Sequence, residues 1–388
     1  MALLLRTPLC DLLGIEYPII SAGMGGPAGP TLAAAVSNAG GLGVIGGTAM
    51  SPDRLRQAIQ KARSLTDRPF GVDLLLPSDL LRQSGIDHTD SSSSGKFEIP
   101  QRHREFVESL AKEWELPEVE ERPGRRGMSG WLVHQQVQVV LEERVLVFAA
   151  GLGDPAWMIA DAHAQGMKVL ALVGNVKNAR RVAAGGVDVV VAQGYDAGGH
   201  TGRIGTMALV PQVVDAVAPT PVVAAGGIAD GRGLAAALML GAVGVWCGTA
   251  FLATEEAFAD AIENHSESEW RARVIKEKIV AATEEDTRVS RVLTGKTARI
   301  AASPLTDAWE RPDAPPTLPL PLQGILVAPL MRRINRGRRA DLTTEGMGQI
   351  AGMITRIRPA GEVVREMARQ AELLLARVAE GVGQTNDG

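Results

Sequence analysis

A histidine in a glycine-rich loop is the feature of this sequence that most directly suggests chemistry. The apolar run Val189–Gln193 reads as a buried strand, and Gly194–Gly202 follows it as a loop that contains His200. The small residues around His200 let the backbone approach a flat ligand closely. Imidazole titrates nearer neutrality than other side chains, which suits proton transfer. The loop predicts a general base at His200; the alternative is a loop histidine that caps a backbone carbonyl.

Two glycine-rich turns further along the chain are suited to binding a phosphate group. Gly226 and Gly227 stand between a predicted strand and a predicted helix, and Gly248 and Thr249 occupy the same place after the next strand. Backbone N–H groups at helix starts attract phosphate, and glycine lets the anion come close. One such glycine often serves only the turn. Two in succession, at the last strands of a β/α series, predict a phosphate site.

The composition is that of a soluble globular protein. The 388 residues are 45% hydrophobic and 22% charged, with a net charge of −4, which argues against a nucleic-acid binder. Cys10 and Cys247 are the only cysteines, so a disulfide framework is excluded and a reducing cytoplasm is expected. No apolar run is long enough to span a membrane. No His, Asp or Glu cluster has metal-ligand spacing, so we expect no metal.

Eight apolar, β-rich runs recur along the chain, with helical stretches between them. They are mostly continuous rather than alternating, as in parallel strands that are buried on both faces. The predicted strands are Pro18–Ser21, Gly43–Gly46, Phe70–Leu75, Arg144–Phe148, Lys168–Val173, Val187–Gln193, Pro221–Ala224 and Gly244–Cys247. Eight β/α units predict a closed (β/α)8 TIM barrel, and an open, doubly wound sheet is the alternative.

Two regions exceed a minimal barrel. We expect the barrel in residues 1–260, with a long insertion at about 77–143 after the third strand. The insertion contains the polar tract Asp87–Gly95 and an amphipathic helix at Gln101–Trp114. It is either a surface decoration or a lid over substrate.

The second addition is the C-terminal extension, residues 261–388, which we expect to be mostly helical and to pack on the barrel. Helices are predicted at Thr344–Ile357 and Ala360–Glu380. The basic run Met331–Arg339 is either a solvated helix end or a grip for the phosphates of coenzyme A.

Several segments of the chain resemble the nitronate monooxygenase family of FMN-dependent TIM barrels. The loop Ala192–Gly202, with its Gln193 and His200, and the run Gly248–Glu256 are the most specific of them. The other matching segments are Pro18–Gly25, Ala39–Gly43, Phe70–Leu74, Ala225–Ile228 and Gly348–Ile354. The resemblance covers most of residues 10–75 and 140–380.

The resemblance implies that FMN lies across the carboxyl ends of the strands. Its phosphate would meet Gly226, Gly227, Gly248 and Thr249. The remaining implied cofactor contacts, around the ring, are Ala22, Gly23, Met24, Asp73, Gln193, Gly198 and Gly199. His200 would take the α-proton of a neutral nitroalkane, and a nitronate would be oxidised with O2 to a carbonyl compound and nitrite. Many members of the family have Asn where this chain has Asp73.

Two other functions remain open at this point. A related NAD(P)H-dependent flavin reductase would act on an enoyl or acyl thioester, of coenzyme A or acyl carrier protein, or on a quinone. A non-catalytic flavin- or ligand-binding protein is the third hypothesis. In each case we expect a small-molecule ligand and no nucleic-acid or membrane partner, and a homo-oligomer stays open.

Overall fold

Eight parallel strands of the described chain surround the centre of the molecule. The computed structural model describes residues 5–48, 50–77, 98–119, 130–262 and 266–383. The barrel strands are β1 (Ile19–Ser21), β2 (Gly43–Gly46), β3 (Phe70–Leu75), β4 (Val147–Gly151), β5 (Lys168–Val173), β6 (Val189–Gln193), β8 (Val222–Ala225) and β9 (Gly244–Cys247). A two-residue strand, β7 (Gly199–His200), lies between β6 and β8 in the chain.

The sheet closes on itself. Its order is β1-β9-β8-β6-β5-β4-β3-β2, and all neighbours in it are parallel. Between its two ends, Leu42 donates its N–H to the Ile19 carbonyl and accepts the N–H of Ser21, each at 2.9 Å. These bonds leave no open edge, so the closed barrel is confirmed and the open sheet is excluded.

The strands are buried on both sides, which explains their continuous apolar sequences. In β6, Val189 and Val191 belong to the cluster inside the barrel, whereas Val190 and Ala192 belong to the cluster beneath the helices. The strand β4 divides in the same way. Successive side chains of a strand point to opposite faces, so each strand contributes to two cores. Helix α1 (Pro8–Leu13) packs Leu9 and Leu13 into the inner cluster.

Helices follow the strands and cover the barrel. Asn175 and Asp230 cap two of them, because their side chains accept the N–H groups of Asn178 and Arg232. The helices of this part are α2 (Pro30–Asn38), α3 (Pro52–Leu65), α4 (Gln101–Glu113), α5 (Gly130–Glu142), α6 (Ala156–Ala164), α7 (Val176–Ala184), α8 (Thr206–Val217), α9 (Gly231–Met239), α10 (Thr249–Leu252) and α11 (Ala259–Ile262).

The fourth strand begins three residues later than predicted. The fourth strand is confirmed, but the predicted bounds Arg144–Phe148 are wrong, because Arg144 adopts a left-handed backbone with φ 46° in the turn after α5. The strand continues instead through Ala149, Ala150 and Gly151. These small residues have weak β-propensity, and barrel pairing with β3 overrides it.

The chain beyond the barrel forms α12 (Ser266–Ala281), β10 (Thr287–Ser290), β11 (Ala298–Ala301), α13 (Pro304–Ala308), α14 (Leu322–Arg336) and α15 (Ala360–Gly383). In the small sheet, β11 pairs antiparallel with both β10 and β7. Helix α15 packs on α9, where Gly231 lies against Met367 and Gln370 and donates its N–H to the Gln370 side chain at 3.1 Å.

The helix predicted at Thr344–Ile357 is wrong. Only Gln349–Met353 is helical there, as a 3₁₀ turn, and Gly348 before it is extended. The Gly348 N–H binds the Thr249 hydroxyl at 2.9 Å, so tertiary contacts hold this segment out of a helix. No helix in the described part of the chain is long and apolar enough to cross a membrane.

Residues 98–119 of the insertion pack away from the barrel strands, whereas α5, at the end of the insertion, packs on β3. In α4, Phe106 and Leu110 are buried in a separate cluster with Leu326 and Leu330 of α14. Phe106 also contacts Trp309 edge to face, with 5.0 Å between ring centroids. These contacts support a surface decoration for residues 98–119. The polar tract Asp87–Gly95 lies outside the described residues.

Candidate functional site

A cavity of about 780 Å³ opens at the carboxyl ends of the barrel strands. This is the end of a β/α barrel where functional groups are found, and the volume is within the range of ligand sites. All twelve residues singled out from the sequence line it: Ala22, Gly23, Met24, Asp73, Gln193, Gly198, Gly199, His200, Gly226, Gly227, Gly248 and Thr249. The fold therefore brings the whole predicted set to one place.

The turns after β8 and β9 form one wall of the cavity. Gly226 and Gly227 adopt left-handed backbones, with φ of 94° and 74°, which favour glycine. The buried Thr249 hydroxyl accepts the Gly348 N–H, and its own hydrogen stays available for a ligand. This wall offers backbone and hydroxyl donors without a side chain that would fill it, which suits a phosphate.

His200 reaches the cavity from β7. Its backbone is held twice, since β7 pairs with β11 and the Gln193 amide donates to the His200 carbonyl at 2.5 Å. Its Nε2 lies 2.9 Å from the Thr294 hydroxyl, so the partner of this nitrogen is a side chain and not a backbone carbonyl. Burial, and secondarily the charge of Lys296, lower the pKa of His200. The imidazole is therefore neutral at physiological pH and able to accept a proton.

Asp73 is a buried acid in the cavity wall. It lies near the end of β3, is 7% exposed, and its Oδ1 has no hydrogen-bond partner. Burial raises the pKa of Asp73 to about 8, because an apolar surrounding disfavours the carboxylate. A carboxylic acid rather than a carboxylate thus faces the cavity at neutral pH.

Cys247 lines the cavity but is not suited to nucleophilic chemistry. It is 2% exposed, and burial raises the pKa of its thiol to about 12. The thiolate is the reactive form of cysteine, and almost none is present at neutral pH. Cys247 is a small buried residue beside the turn after β9.

Sequence reasoning missed several polar residues of the cavity. Thr294 and Lys296 come from the segment before β11, where no motif marks them. Asn175 and Arg181 follow β5, and the position of Asn175 directly after a strand was a usable signal. Arg181 forms an ion pair with Asp154 at 3.2 Å.

Arginines of the basic run at the end of α14 form ion pairs with glutamates outside the cavity. Arg333 pairs with Glu108 at 3.1 Å and Glu118 at 2.7 Å, and Arg336 pairs with Glu267 at 2.7 Å. The described lining of the cavity includes no residue of this run. The run fixes α14 against neighbouring segments, and its geometry does not support a grip on coenzyme A at this site.

Comparison with known proteins identifies relatives along the whole chain. A family model described as nitronate monooxygenase matches residues 6–370. A Mycobacterium tuberculosis relative, provisionally named as a monooxygenase, is 42% identical over 381 residues, or 94% of this chain and 96% of the relative. A Rhodococcus jostii relative, named as an octahydroindene carboxyl-CoA dehydrogenase, is 35% identical over 306 residues, or 79% of this chain and 68% of that protein.

A solved structure has the same architecture. The nitroalkane oxidase of Streptomyces ansochromogenes superposes with a TM-score of 0.73 at 32% identity, over 96% of this chain and 99% of that one. Similarity of this extent covers the barrel and the segments beyond it.

The burial of Asp73 predicts that the thermal stability of the protein depends on pH. The folded-state pKa of Asp73 is about 8 against 3.8 for the solvent-exposed carboxyl of the unfolded chain, so the stability that this group contributes is full below about pH 4 and is lost as pH rises to about 8. We expect Asp73→Asn to raise the melting temperature of the cofactor-free protein by a few degrees at pH 8, and by less at pH 5. Thermal unfolding at both pH values measures this. The exposed Asp215→Asn is the control, and an equal gain at both pH values would contradict the prediction.

Proposed function

The chain belongs to the nitronate monooxygenase family, and we propose that it is an FMN-dependent enzyme that oxidises alkyl nitronates with O2 to a carbonyl compound and nitrite. Members of this family are flavin-dependent oxidoreductases, so the chain is an enzyme and the non-catalytic hypothesis is set aside. The observation that carries the proposal is a neutral, half-buried histidine in the same cavity as two glycine turns suited to a phosphate.

The wall formed after β8 and β9 would hold the FMN phosphate. Gly226, Gly227 and Gly248 present backbone without side chains, and Thr249 adds a hydroxyl donor. The doubly negative phosphate would be bound by backbone dipoles there, without an arginine or lysine. The net effect is a site that selects the phosphorylated flavin.

The part of the cavity next to this wall would hold the flavin ring. Ala22, Gly23 and Gly198 are small, so a flat ring system can lie close to the backbone. Met24 and Gln193 also line this region. When bound, FMN would supply a ring that takes electrons from the nitronate and passes them on to O2.

His200 would act on neutral nitroalkanes. Its neutral imidazole can take the α-proton, which leaves the nitronate anion in the cavity. The Thr294 hydroxyl and the β7–β11 pairing fix the orientation of the ring. A substrate that arrives as the nitronate has already lost this proton and needs no base.

A second function is favoured by one comparison. The Rhodococcus jostii relative is named for a carboxyl-CoA substrate. This name supports the alternative that the chain is a flavin enzyme acting on thioesters. Such an enzyme would need NAD(P)H when it works as a reductase. The paired arginines of α14 give this alternative no support from the cavity.

Anaerobic titration of the flavin-loaded protein separates the two functions. We expect an alkyl nitronate alone to bleach the visible flavin band, because the nitronate is the electron donor. NADPH added alone is the matched comparison. Bleaching of the flavin band by NADPH but not by nitronate would contradict the monooxygenase proposal and favour the reductase.

The phosphate wall is tested by Gly227→Val. A side chain at φ 74° is strained and would stand in the turn proposed to bind phosphate, so we expect the variant to lose its FMN during purification. Gly166→Val carries similar strain at φ 75° with open space around it, and it should retain FMN. The ratio of bound flavin to protein is the measurement. A fully flavinated Gly227→Val would refute this phosphate site.

His200→Ala tests the base. We expect kcat/KM for a neutral nitroalkane to fall by about 10²–10³-fold, while the value for the corresponding nitronate changes little. For the wild type, the nitroalkane rate should rise with pH only up to the lowered pKa of His200 and stay level above it. His163→Ala, on the outside of the barrel in α6, is the control. Equal losses on both substrates would mean that His200 is not the base.

A further inference from the structure

Asp73 is the buried polar group of the cavity that the reaction proposed above does not use. Its side chain lines the cavity, and its Oδ1 is buried without a hydrogen-bond partner. Leaving a polar atom desolvated and unpaired is costly, so such an atom in a ligand cavity points to a partner on the ligand.

Two glycines pack closely against Asp73 in the wall of the cavity. A side chain at Gly23 would collide with the Asp73 Cβ, so the backbone packs directly against the acid. On its other side, a Cβ at Gly151 would lie 3.9 Å from Oδ1. These two glycines leave the acid flanked by backbone and facing the cavity.

No charged side chain lies on the two strands that pair with β3 around Asp73. The neighbouring strands β2 and β4 carry no titratable side chain, and neither do residues 22–25. Burial is accordingly the cause of its shift in pKa, with no contribution from a charge. The titratable groups that line the rest of the cavity are Arg181, Asp196, His200, Cys247, Lys296 and Glu345.

We propose that Asp73 is a neutral carboxylic acid that donates a hydrogen bond from its unpartnered side to an acceptor atom of the FMN ring system. The inference rests on the proposed function, because it takes FMN as the ligand. A protonated carboxyl has one O–H donor, whereas a carboxylate has none. A flavin ring carries carbonyl and imine-type acceptors along its edge, which complement such a donor.

The protonation state then decides affinity for FMN. The neutral acid gives a donor and adds no negative charge beside a ring that gains electrons. Ionisation removes the donor and places a desolvated carboxylate against acceptor atoms, which disfavours binding. FMN affinity should therefore fall as pH rises through the titration of Asp73.

The expected change in the apparent Kd for FMN follows from the fraction of the protein in which Asp73 is protonated. If FMN binds the acid form, with a pKa of about 8, that form is about a tenth of the protein at pH 9, so the apparent Kd rises about tenfold between pH 7 and pH 9. His200 and Cys247 titrate outside this window, because their pKa values are lowered and raised to about 12, respectively.

The experiment measures the Kd of FMN from pH 6.5 to 9.5 by flavin fluorescence, for wild type, Asp73→Asn and Asp73→Leu. The asparagine amide keeps a neutral donor, so Asp73→Asn should bind within a few-fold of wild type at pH 7 without the alkaline loss. Asp73→Leu removes the donor while keeping the branch at Cγ, and it should bind about tenfold more weakly at every pH. FMN's own ionisations are common to all three proteins, so the ratio to Asp73→Asn isolates Asp73.

Each outcome has a separate meaning. A wild-type profile parallel to that of Asp73→Asn, or Asp73→Leu binding as tightly as wild type at pH 7, would overturn the role of Asp73 and leave FMN as the cofactor. Wild type that binds no FMN at pH 7 would overturn the proposed function itself, and the role of Asp73 with it. If either variant fails to fold, the wild-type profile and the other variant still decide.

Discussion

The close crossing of two backbone segments over the barrel mouth is the constraint on which the site depends. Gly198, in the loop after β6, meets Gly348 from beyond the barrel, and a Cβ at Gly198 would lie 2.7 Å from the Gly348 nitrogen. The Gly348 N–H binds Thr249, so the same crossing also touches the turn after β9. With β7 paired to β11, this contact fixes His200 and the phosphate wall relative to each other. The distant C-terminal part of the chain thus completes a site whose groups come mainly from the barrel.

Burial sets the chemistry of the cavity. It lowers the pKa of His200 and raises the pKa of Asp73, so both groups are neutral near pH 7. One can then accept a proton and the other can donate a hydrogen bond. An anionic ligand meets no fixed carboxylate at Asp73, while backbone N–H groups and Thr249 supply donors. Desolvation therefore leaves His200 able to accept a proton and Asp73 able to donate a hydrogen bond.

The regions added to the barrel have a separate structural logic. Helices α4 and α14 bury their own apolar cluster, and Arg333 joins them through ion pairs with Glu108 and Glu118. This arrangement explains why a conspicuously basic stretch is remote from the cavity. Charge in a sequence indicates a binding surface only where acidic partners do not already neutralise it. Those partners, in α4 and just after it, are more than two hundred residues away in the chain.

The sequence by itself determined the barrel and the twelve cavity-lining residues that were predicted for the site. Continuous apolar runs followed by small residues marked the strands and their ligand-facing ends, because both signals are local. Local signals failed where distant contacts decide: Ala149 and Ala150 became strand by pairing in the barrel, and Gly348 was drawn out of a helix by Thr249. Only the tertiary structure brought Thr294 to His200 across 94 residues of chain. The burial that raises the pKa of Asp73 also comes from the tertiary structure alone, since the pKa of a carboxyl depends on what surrounds it in space and not on its neighbours in sequence.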